Sequence, residues 1–460
     1  MGRVERFFEG IKGKRITFIG LGVSHCELVT IFAEKGALVE VCDRQPRTQL
    51  GDADTLEAQG ITLHLGEDYL KHLNGDVILR TPGMRFHTPE LTAARERGQV
   101  VTSELELFLD LCPCKVIGIT GSDGKSTTAT VVSEMLNAAG RTVHLGGNIG
   151  RALLPIVEEI HPADIAVVEL SSFQLISMRR SPDIAVITNI APNHLDMHRD
   201  MTEYVDAKRN VYRHQNAFGK TVVNMDNAIT ASFLQEVICR KAGFSRRTQP
   251  GCGAFLKEDG WIYMADYSGV TRLFPASDIR IPGVHNIENY LAAISAVWGL
   301  AEPEAMHQVA KDFAGVEHRI EFVRNINGAR WYNDSIASSP TRTIAGLDAF
   351  DQRVILIAGG YDKQIPYLPL GPKIVEKVKT LIVMGDTAEK IAATVVSMGQ
   401  YNPRTLPILR AKDMAEAVQL AAQVAAEGDV VTLSPASASF DFYRNFEARG
   451  RHFKELVNAL

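Results

Sequence analysis

The stretch Gly118-Ile119-Thr120-Gly121-Ser122-Asp123-Gly124-Lys125-Ser126-Thr127-Thr128 has the residue types needed to hold phosphate. Glycines let backbone N–H groups turn toward anionic oxygens, and a lysine at position 125 can reach the β- and γ-phosphates of a nucleotide. The Ser126 hydroxyl can ligate Mg²⁺, and a helix starting there points the positive end of its dipole at the same place. The strict phosphate-loop pattern wants glycine at position 119, where isoleucine stands. The spacing Thr120-Gly121-x-x-Gly124-Lys125-Ser126 keeps the physical parts. An ordinary glycine-rich strand-to-helix turn is the plainer reading, and Gly-Lys-Ser in this place argues against it.

Two more ligand-type residues follow. Glu169 ends the apolar run Val167-Val168, and His194 comes just after Asn189-Ile190-Ala191-Pro192-Asn193. Both are expected at or just past the carboxyl ends of buried strands, where open α/β sheets bind ligands. Alone, Glu169 would be a surface carboxylate and His194 a structural histidine. Beside a magnesium-binding loop they read as a metal site.

The elements that must position these groups form three β-then-α segments. The first is Arg15–Gly20, then Gly22, an amphipathic stretch through Ala33 and a strand from Ala37 to Asp43. This is a βαβ unit of parallel sheet. Its Gly20-Leu21-Gly22, with Asp43 about twenty positions on, is dinucleotide-like, but His25 stands where the third glycine belongs. The second segment runs from Val116 through the phosphate loop to a helix ending near Ala139, with strands at Ile165–Leu170 and Ile184–Ile190. The third has strands at Val354–Ala358, Leu381–Met384 and Val430–Leu433. The expected class is α/β in three domains: a Rossmann-like domain (residues 1–110), a central phosphate-loop ATPase-like domain (111–315) and a second Rossmann-like domain (316–460).

Composition narrows the setting. The chain has 460 residues, 45% hydrophobic and 22% charged, with a formal net charge of −5, so nothing calls for nucleic acid or an anionic membrane as partner. Six cysteines are scattered, with only Cys112-Pro113-Cys114 close together, which fits reduced structural thiols and no zinc site. No run of about 18 apolar residues suits a membrane span, and the N-terminus lacks a signal-peptide core. A cytoplasmic protein is expected.

With these motifs in hand, the chain resembles the Mur ligase family nearly end to end. The loop Thr120–Ser126 is similar to the family's ATP loop. Gly146-Gly147-Asn148-Ile149-Gly150 and Glu169-Leu170-Ser171-Ser172-Phe173-Gln174 match stretches that in the family face the metal and the nucleotide-sugar. Tyr204-Val205-Asp206-Ala207-Lys208 resembles the segment whose lysine is carbamylated. Read alone, Lys208 is an exposed helix lysine. Pro282-Gly283-Val284-His285-Asn286-Ile287-Glu288-Asn289 resembles the adenine-contacting segment, and His318-Arg319 the hinge whose arginine reaches the γ-phosphate. Leu433–Ser439 and Asn445–Gly450 resemble the stretch that recognises the incoming amino acid. In the D-glutamate-adding branch the first domain holds UDP, and Val23, Ser24, Asp43, Arg44, Thr81 and Gly83 fall on the matching positions, with Ser103-Glu104-Leu105-Glu106 following the same pattern.

The resemblance implies ATP and two Mg²⁺ as cofactors, a suspected carbamylated lysine, and UDP-N-acetylmuramoyl-L-alanine and D-glutamate as substrates of a monomeric ligase. Lys125, His194, Lys208 and Arg319 would be catalytic. ATP would meet Gly121, Ser122, Asp123, Gly124, Lys125, Ser126, Thr127, His285, Asn286, Asn289, Arg319 and Asp334. The nucleotide-sugar would meet Asn148, Ser171, Gln174 and His194 besides the first-domain residues. Metal would fall to Ser126, Glu169, His194 and Lys208, and the amino acid to Lys363, Ser439 and Phe446. An acyl phosphate would link the half-reactions, with the C-terminal domain closing upon nucleotide binding. After Asn333-Asp334-Ser335 the best-known members of the family have Lys-Ala-Thr, and this chain has Ile336-Ala337-Ser338. The missing cation leaves a Mur-type ligase adding another amino acid as the main alternative. A nicotinamide oxidoreductase would explain neither Lys125-Ser126 nor Glu169, and a nucleotide-gated switch would hydrolyse ATP without an acceptor.

Overall fold

The computed structural model describes residues 2–22, 25–50, 52–192, 198–362 and 365–460. Val23, Ser24, His194 and Lys363 lie outside the described residues. The chain divides into two compact units, Met1–Phe313 and Ala314–Leu460.

The first unit holds two parallel sheets. One has the strand order Thr62–Leu65, Leu38–Asp43, Arg15–Ile19, Val77–Arg80, Val100–Thr102. The other runs Arg240–Phe244, Lys220–Asn224, Ile184–Ile187, Lys115–Thr120, Ile165–Glu169, Val143–Gly147. Its strand Lys115–Thr120 is buried from Val116 onward because both faces are covered. Ile117 and Ile119 pack with Val131, Met135 and Tyr290 on one side, while Val168, Ala185 and Val211 share a core on the other. The parallel register sets Ile119 beside Glu169 and Thr120 beside Ile187, so three strands end together at one edge.

The third of these strands is shorter than the sequence led us to expect. It stops at Ile187 because the next residues turn to hold the phosphate loop: Thr188 N–H donates to Thr120 O at 3.0 Å, and Asn189 O accepts Ser122 N–H at 2.9 Å. An antiparallel sheet of Gly253–Leu256, Trp261–Asp266 and Gly269–Pro275 completes the unit and was not anticipated.

The second unit is one six-stranded sheet in the order Glu321–Ile326, Ala329–Asn333, Val430–Leu433, Val354–Gly359, Val378–Met384, Ile408–Arg410. All neighbours are parallel except the first pair. The three expected strands are its centre, with the one expected at Leu381 starting earlier, at Val378. Cores lie on both faces, one around Leu356 and Ile374, the other around Trp331 and Phe453.

Candidate active site

The phosphate loop joins the strand Lys115–Thr120 to the helix Lys125–Ala138. Gly121 (φ 152°) and Gly124 (φ 77°) have backbone conformations that L side chains rarely adopt. A Cβ at Gly121 would also collide with the Thr188 hydroxyl, and one at Gly124 with the Asn289 amide. The loop is fixed from behind. Asp123 N–H donates to Asn189 Oδ1 at 3.0 Å, and Ser122 Oγ donates to Ala191 O at 2.9 Å and lies 2.8 Å from the Tyr204 hydroxyl. Ser126 is buried in the first helical turn, next to the half-buried Thr127. Thr128 Oγ1 donates to Asn289 Oδ1 at 3.3 Å and Asn289 Nδ2 to Asn286 Oδ1 at 3.0 Å, so the helix Val284–Val297 brings the expected adenine segment against the loop. His285 is exposed at the start of that helix.

Two lysines grip the loop. Lys125 Nζ donates to Ser122 O at 2.8 Å, and Lys208 Nζ donates to Gly121 O at 2.7 Å and Thr120 Oγ1 at 3.3 Å. Lys208 is not the exposed helix lysine of the residue-by-residue reading: it is only 1% exposed. Its helix, Met201–Arg213, buries Tyr204, Val205, Ala207, Lys208, Val211 and Tyr212 along one face. Burial pushes the Lys208 amine well below the ordinary lysine range, and the nearby Lys125 charge adds to this.

Glu169 closes the strand Ile165–Glu169 and is buried. Its Oε1 accepts Asn148 Nδ2 at 2.9 Å, its backbone O accepts Asn148 N–H at 2.9 Å, and its Oε2 is buried with no hydrogen-bond partner. An orphaned carboxylate oxygen on a residue paired in register with Ile119, just before the phosphate loop, fits a hard cation that takes its remaining ligands from phosphate and water. No group of three or more His, Cys, Asp or Glu able to hold a metal is present among the described residues. Magnesium shared with a nucleotide suits this donor set better than an all-protein cage.

Between the first two sheets lies a cavity of about 290 Å³, lined in part by Gly22, Thr81, Glu104, Asn148 and Gln174. Ser171 caps the turn Ser172–Leu175, its hydroxyl donating to Gln174 Oε1 at 2.8 Å. The exposed Gly83 lies in the turn after Val77–Arg80, where Met84 N–H donates to Thr81 O. Asp43 and Arg44 do not line this cavity. Asp43 accepts Leu21 N–H at 2.7 Å and so fixes the glycine turn, while Arg44 is exposed. His25, at the missing third glycine, is buried and hydrogen-bonded through Nδ1 to Gly20 O at 2.8 Å.

The remaining candidates belong to the second unit. Arg319 sits between two residues of positive φ, His318 (65°) and Ile320 (44°), a costly conformation for a β-branched residue. Asp334 is buried, accepts Ser434 Oγ at 2.7 Å and Ile320 N–H at 3.3 Å, and is pushed up to about 7 by burial. Ile336 is half-buried, and its carbonyl accepts Arg342 Nη1 at 3.1 Å. Ser439 is buried, and Phe446 begins the helix Phe446–Asn458 edge-on to His318. Sequence reasoning singled out Asn445–Gly450 but missed Arg449. This fully buried guanidinium donates to Ser335 Oγ and O, Ser437 O and Ala438 O at 2.8–3.0 Å.

Three family descriptions match the chain: Mur ligase MurD-like N-terminal domain over residues 14–103, Mur ligase middle domain over 119–297, and Mur ligase glutamate ligase domain over 318–437. The UDP-N-acetylmuramoylalanine--D-glutamate ligase of Acetivibrio thermocellus is 48% identical, the match covering 100% of this chain and 99% of the relative. The ligase of the same name from Clostridium beijerinckii is 47% identical over 99% and 98%. Among solved structures, the UDP-N-acetylmuramate-alanine ligase MurC of Thermotoga maritima shares the fold, with a TM-score of 0.57 at 17% identity over 97% of this chain and 99% of that one. With relatives this similar from end to end, the chain belongs to the Mur ligase family.

Proposed function

We propose that this protein uses ATP to join D-glutamate to the alanyl carboxylate of UDP-N-acetylmuramoyl-L-alanine, a step of peptidoglycan precursor synthesis. The substrates are those in the names of relatives 47–48% identical over nearly the whole chain. The observation that carries the chemistry is the phosphate loop held between Lys125 and Lys208, with the unpartnered Glu169 oxygen close by.

A free carboxylate does not acylate an amine at neutral pH, because oxide is too poor a leaving group. Transfer of the γ-phosphoryl group to the alanyl carboxylate gives an acyl phosphate. The amine of D-glutamate attacks its carbonyl carbon, and the tetrahedral intermediate collapses with loss of phosphate. Both partners of the first step are anions, so the protein's work is alignment and offset of charge. Lys125 and Arg319 offset phosphate charge. Gly121, Ser122, Asp123, Gly124 and Thr127 form the cradle, and His285, Asn286, Asn289 and Asp334 complete the nucleotide site.

Ser126 and Glu169 would hold a magnesium ion, which supplies further offset of phosphate charge when bound. His194 and a carbamylated Lys208 are proposed for a second. A neutral buried amine is the form that adds CO₂, losing a proton to become an anionic oxygen ligand. Val23, Ser24, Asp43, Arg44, Thr81, Gly83, Asn148, Ser171 and Gln174 would bind the nucleotide-sugar in the domain 1–110 and its border with 111–315. Lys363, Ser439 and Phe446 in the domain 316–460 would bind D-glutamate. The active form is proposed to be a cytoplasmic monomer.

The test is phosphate release across a matrix of nucleotide-sugar acceptors and amino acids, with hydroxylamine as a trap. Release that needs both UDP-N-acetylmuramoyl-L-alanine and D-glutamate, and a trapped hydroxamate without the amino acid, are expected. Ile336, where the best-known members of the family have lysine, favours testing L-glutamate and D-aspartate in the same matrix. Preference for either would replace D-glutamate in this reading.

A further inference from the structure

The 290 Å³ cavity contains a feature at odds with an anionic ligand. Glu104 is the one ionisable residue among those described that line it, and no lysine, arginine or histidine joins it. Val23 and Ser24, which follow the lining residue Gly22, carry no ionisable side chain. Glu104 is 8% exposed, and its Oε1 accepts Leu154 N–H at 3.1 Å from the turn Leu154–Ile156.

The charges on surrounding elements are engaged elsewhere. On its own helix, Glu106 accepts Thr102 Oγ1 and Arg179, and Asp110 accepts Arg180. Arg3, on the helix packed against that one, donates to Asp110 O. Arg80 donates to Phe173 O and Ser177 Oγ, and His25 is bonded to Gly20 O. Glu169 is bonded to Asn148, and Glu27 and Arg151 are exposed. Among the described residues that line the cavity no cation faces Glu104, and Arg151, between the lining residues Gly150 and Ala152, is turned out to solvent as an exposed residue.

We propose that Glu104 must carry a proton for the nucleotide-sugar to bind, so that binding takes up a proton from solution. This rests on the reading that the cavity receives the diphosphate-bearing substrate. The diphosphate of a UDP-sugar keeps its charge throughout the physiological range. A carboxylate in the same cavity repels it, whereas a carboxylic acid removes that repulsion and offers an O–H donor to a phosphate or sugar oxygen. Burial already pushes the carboxyl up to about 7, against the Leu153 and Leu154 N–H groups that pull it down. The proton is thus loosely held near neutrality and is recruited by the ligand.

The experiment is titration calorimetry of the full-length protein with UDP-N-acetylmuramoyl-L-alanine at several pH values, in buffers of different ionisation enthalpy. Wild type should take up close to one proton at pH 8, and its Kd should rise about tenfold per pH unit above 7. Glu104→Gln should abolish that uptake and flatten the profile, while Glu104→Asp, which keeps a titrating group, should retain a slope. Equal weakening at every pH in Glu104→Gln, with the wild-type slope and uptake intact, would show a merely structural residue and overturn the proposal. So would the absence of proton uptake in wild type. No binding by wild type even at pH 6 would overturn the substrate reading itself, and the proposal with it.

Discussion

Lys125 and Lys208 hold carbonyls of the same loop, yet their chemistry differs. Lys125 is half-buried and stands at the first helical turn, where its charge can move to a phosphate. Lys125→Ala should abolish turnover while leaving the fold intact, losing the hydrogen bond to Ser122 O at a cost of about 1 kcal/mol. Substantial residual activity would remove the loop from the mechanism. Lys208 is too buried to remain an ordinary ammonium. Lys208→Ala should lose activity and regain part of it with acetate or formate, as an added carboxylate replaces the carbamate. Indifference to added carboxylate would argue against carbamylation. The burial of Lys208 was within reach of the sequence. Tyr204, Lys208 and Val211 recur at helical spacing, so the lysine lies on the apolar stripe rather than opposite it. The phosphate loop needed no such inference, because its glycines and Gly-Lys-Ser are contiguous. Glu104 and Arg449 were harder, since their significance comes from groups brought to them from distant parts of the chain.

At the scale of elements, the apolar runs at Ile165–Glu169, Ile184–Ile187 and Val354–Gly359 were legible as buried parallel strands, whereas Val77–Arg80 and Lys220–Asn224, parallel and largely buried too, were not singled out. The antiparallel pieces were missed although their turns are written in the chain. Asn327 (φ 50°) and Gly328 (φ 83°) form an Asn-Gly turn between Glu321–Ile326 and Ala329–Asn333, the pairing that two successive positive φ values favour. Around Trp261–Asp266 only the glycines, Gly260 (φ 78°) and Gly269 (φ 135°), take positive φ, and Gly269 already pairs with Asp266. Mixed composition hid these strands: Gly269–Pro275 and Glu321–Ile326 are exposed or half-buried along most of their length and carry no continuous apolar run. The loop after Val430–Leu433 is different: it has no regular structure and is held by Arg449 from the helix Phe446–Asn458. Arg449→Met should strand the Ser437 carbonyl and leave Ala438 O with the Tyr361 N–H alone, at a cost of about 3 kcal/mol. It should also raise the KM for the amino acid more than that for ATP, because Ser439 adjoins the loosened carbonyls. Urea unfolding and paired KM measurements test this, and an unchanged midpoint would show that the loop holds itself.

The whole molecule is two compact units with separate cores, and each contains one buried acid pushed up to about 7: Glu104 in the first and Asp334 in the second. The sign of the linkage follows from where the protons sit. Between the unfolded carboxyl range near 4 and the folded value near 7, the folded protein binds more protons than the unfolded chain, so stability falls as pH rises through that window. The stability associated with each acid is fully present below about pH 4 and lost by about pH 8, a difference of order 3 kcal/mol per group. Separate cores allow separate unfolding transitions, so the two acids can be distinguished by calorimetry. Asp334→Asn should raise the pH 8 melting temperature of the second unit alone, and Glu104→Gln that of the first alone, with each gain shrinking toward pH 5. The Asp334 substitution should also lower activity, since its carboxylate is proposed to face the nucleotide. If both substitutions move one shared transition, the units unfold together despite their separate cores. If neither changes the pH dependence, burial does not hold these two protons.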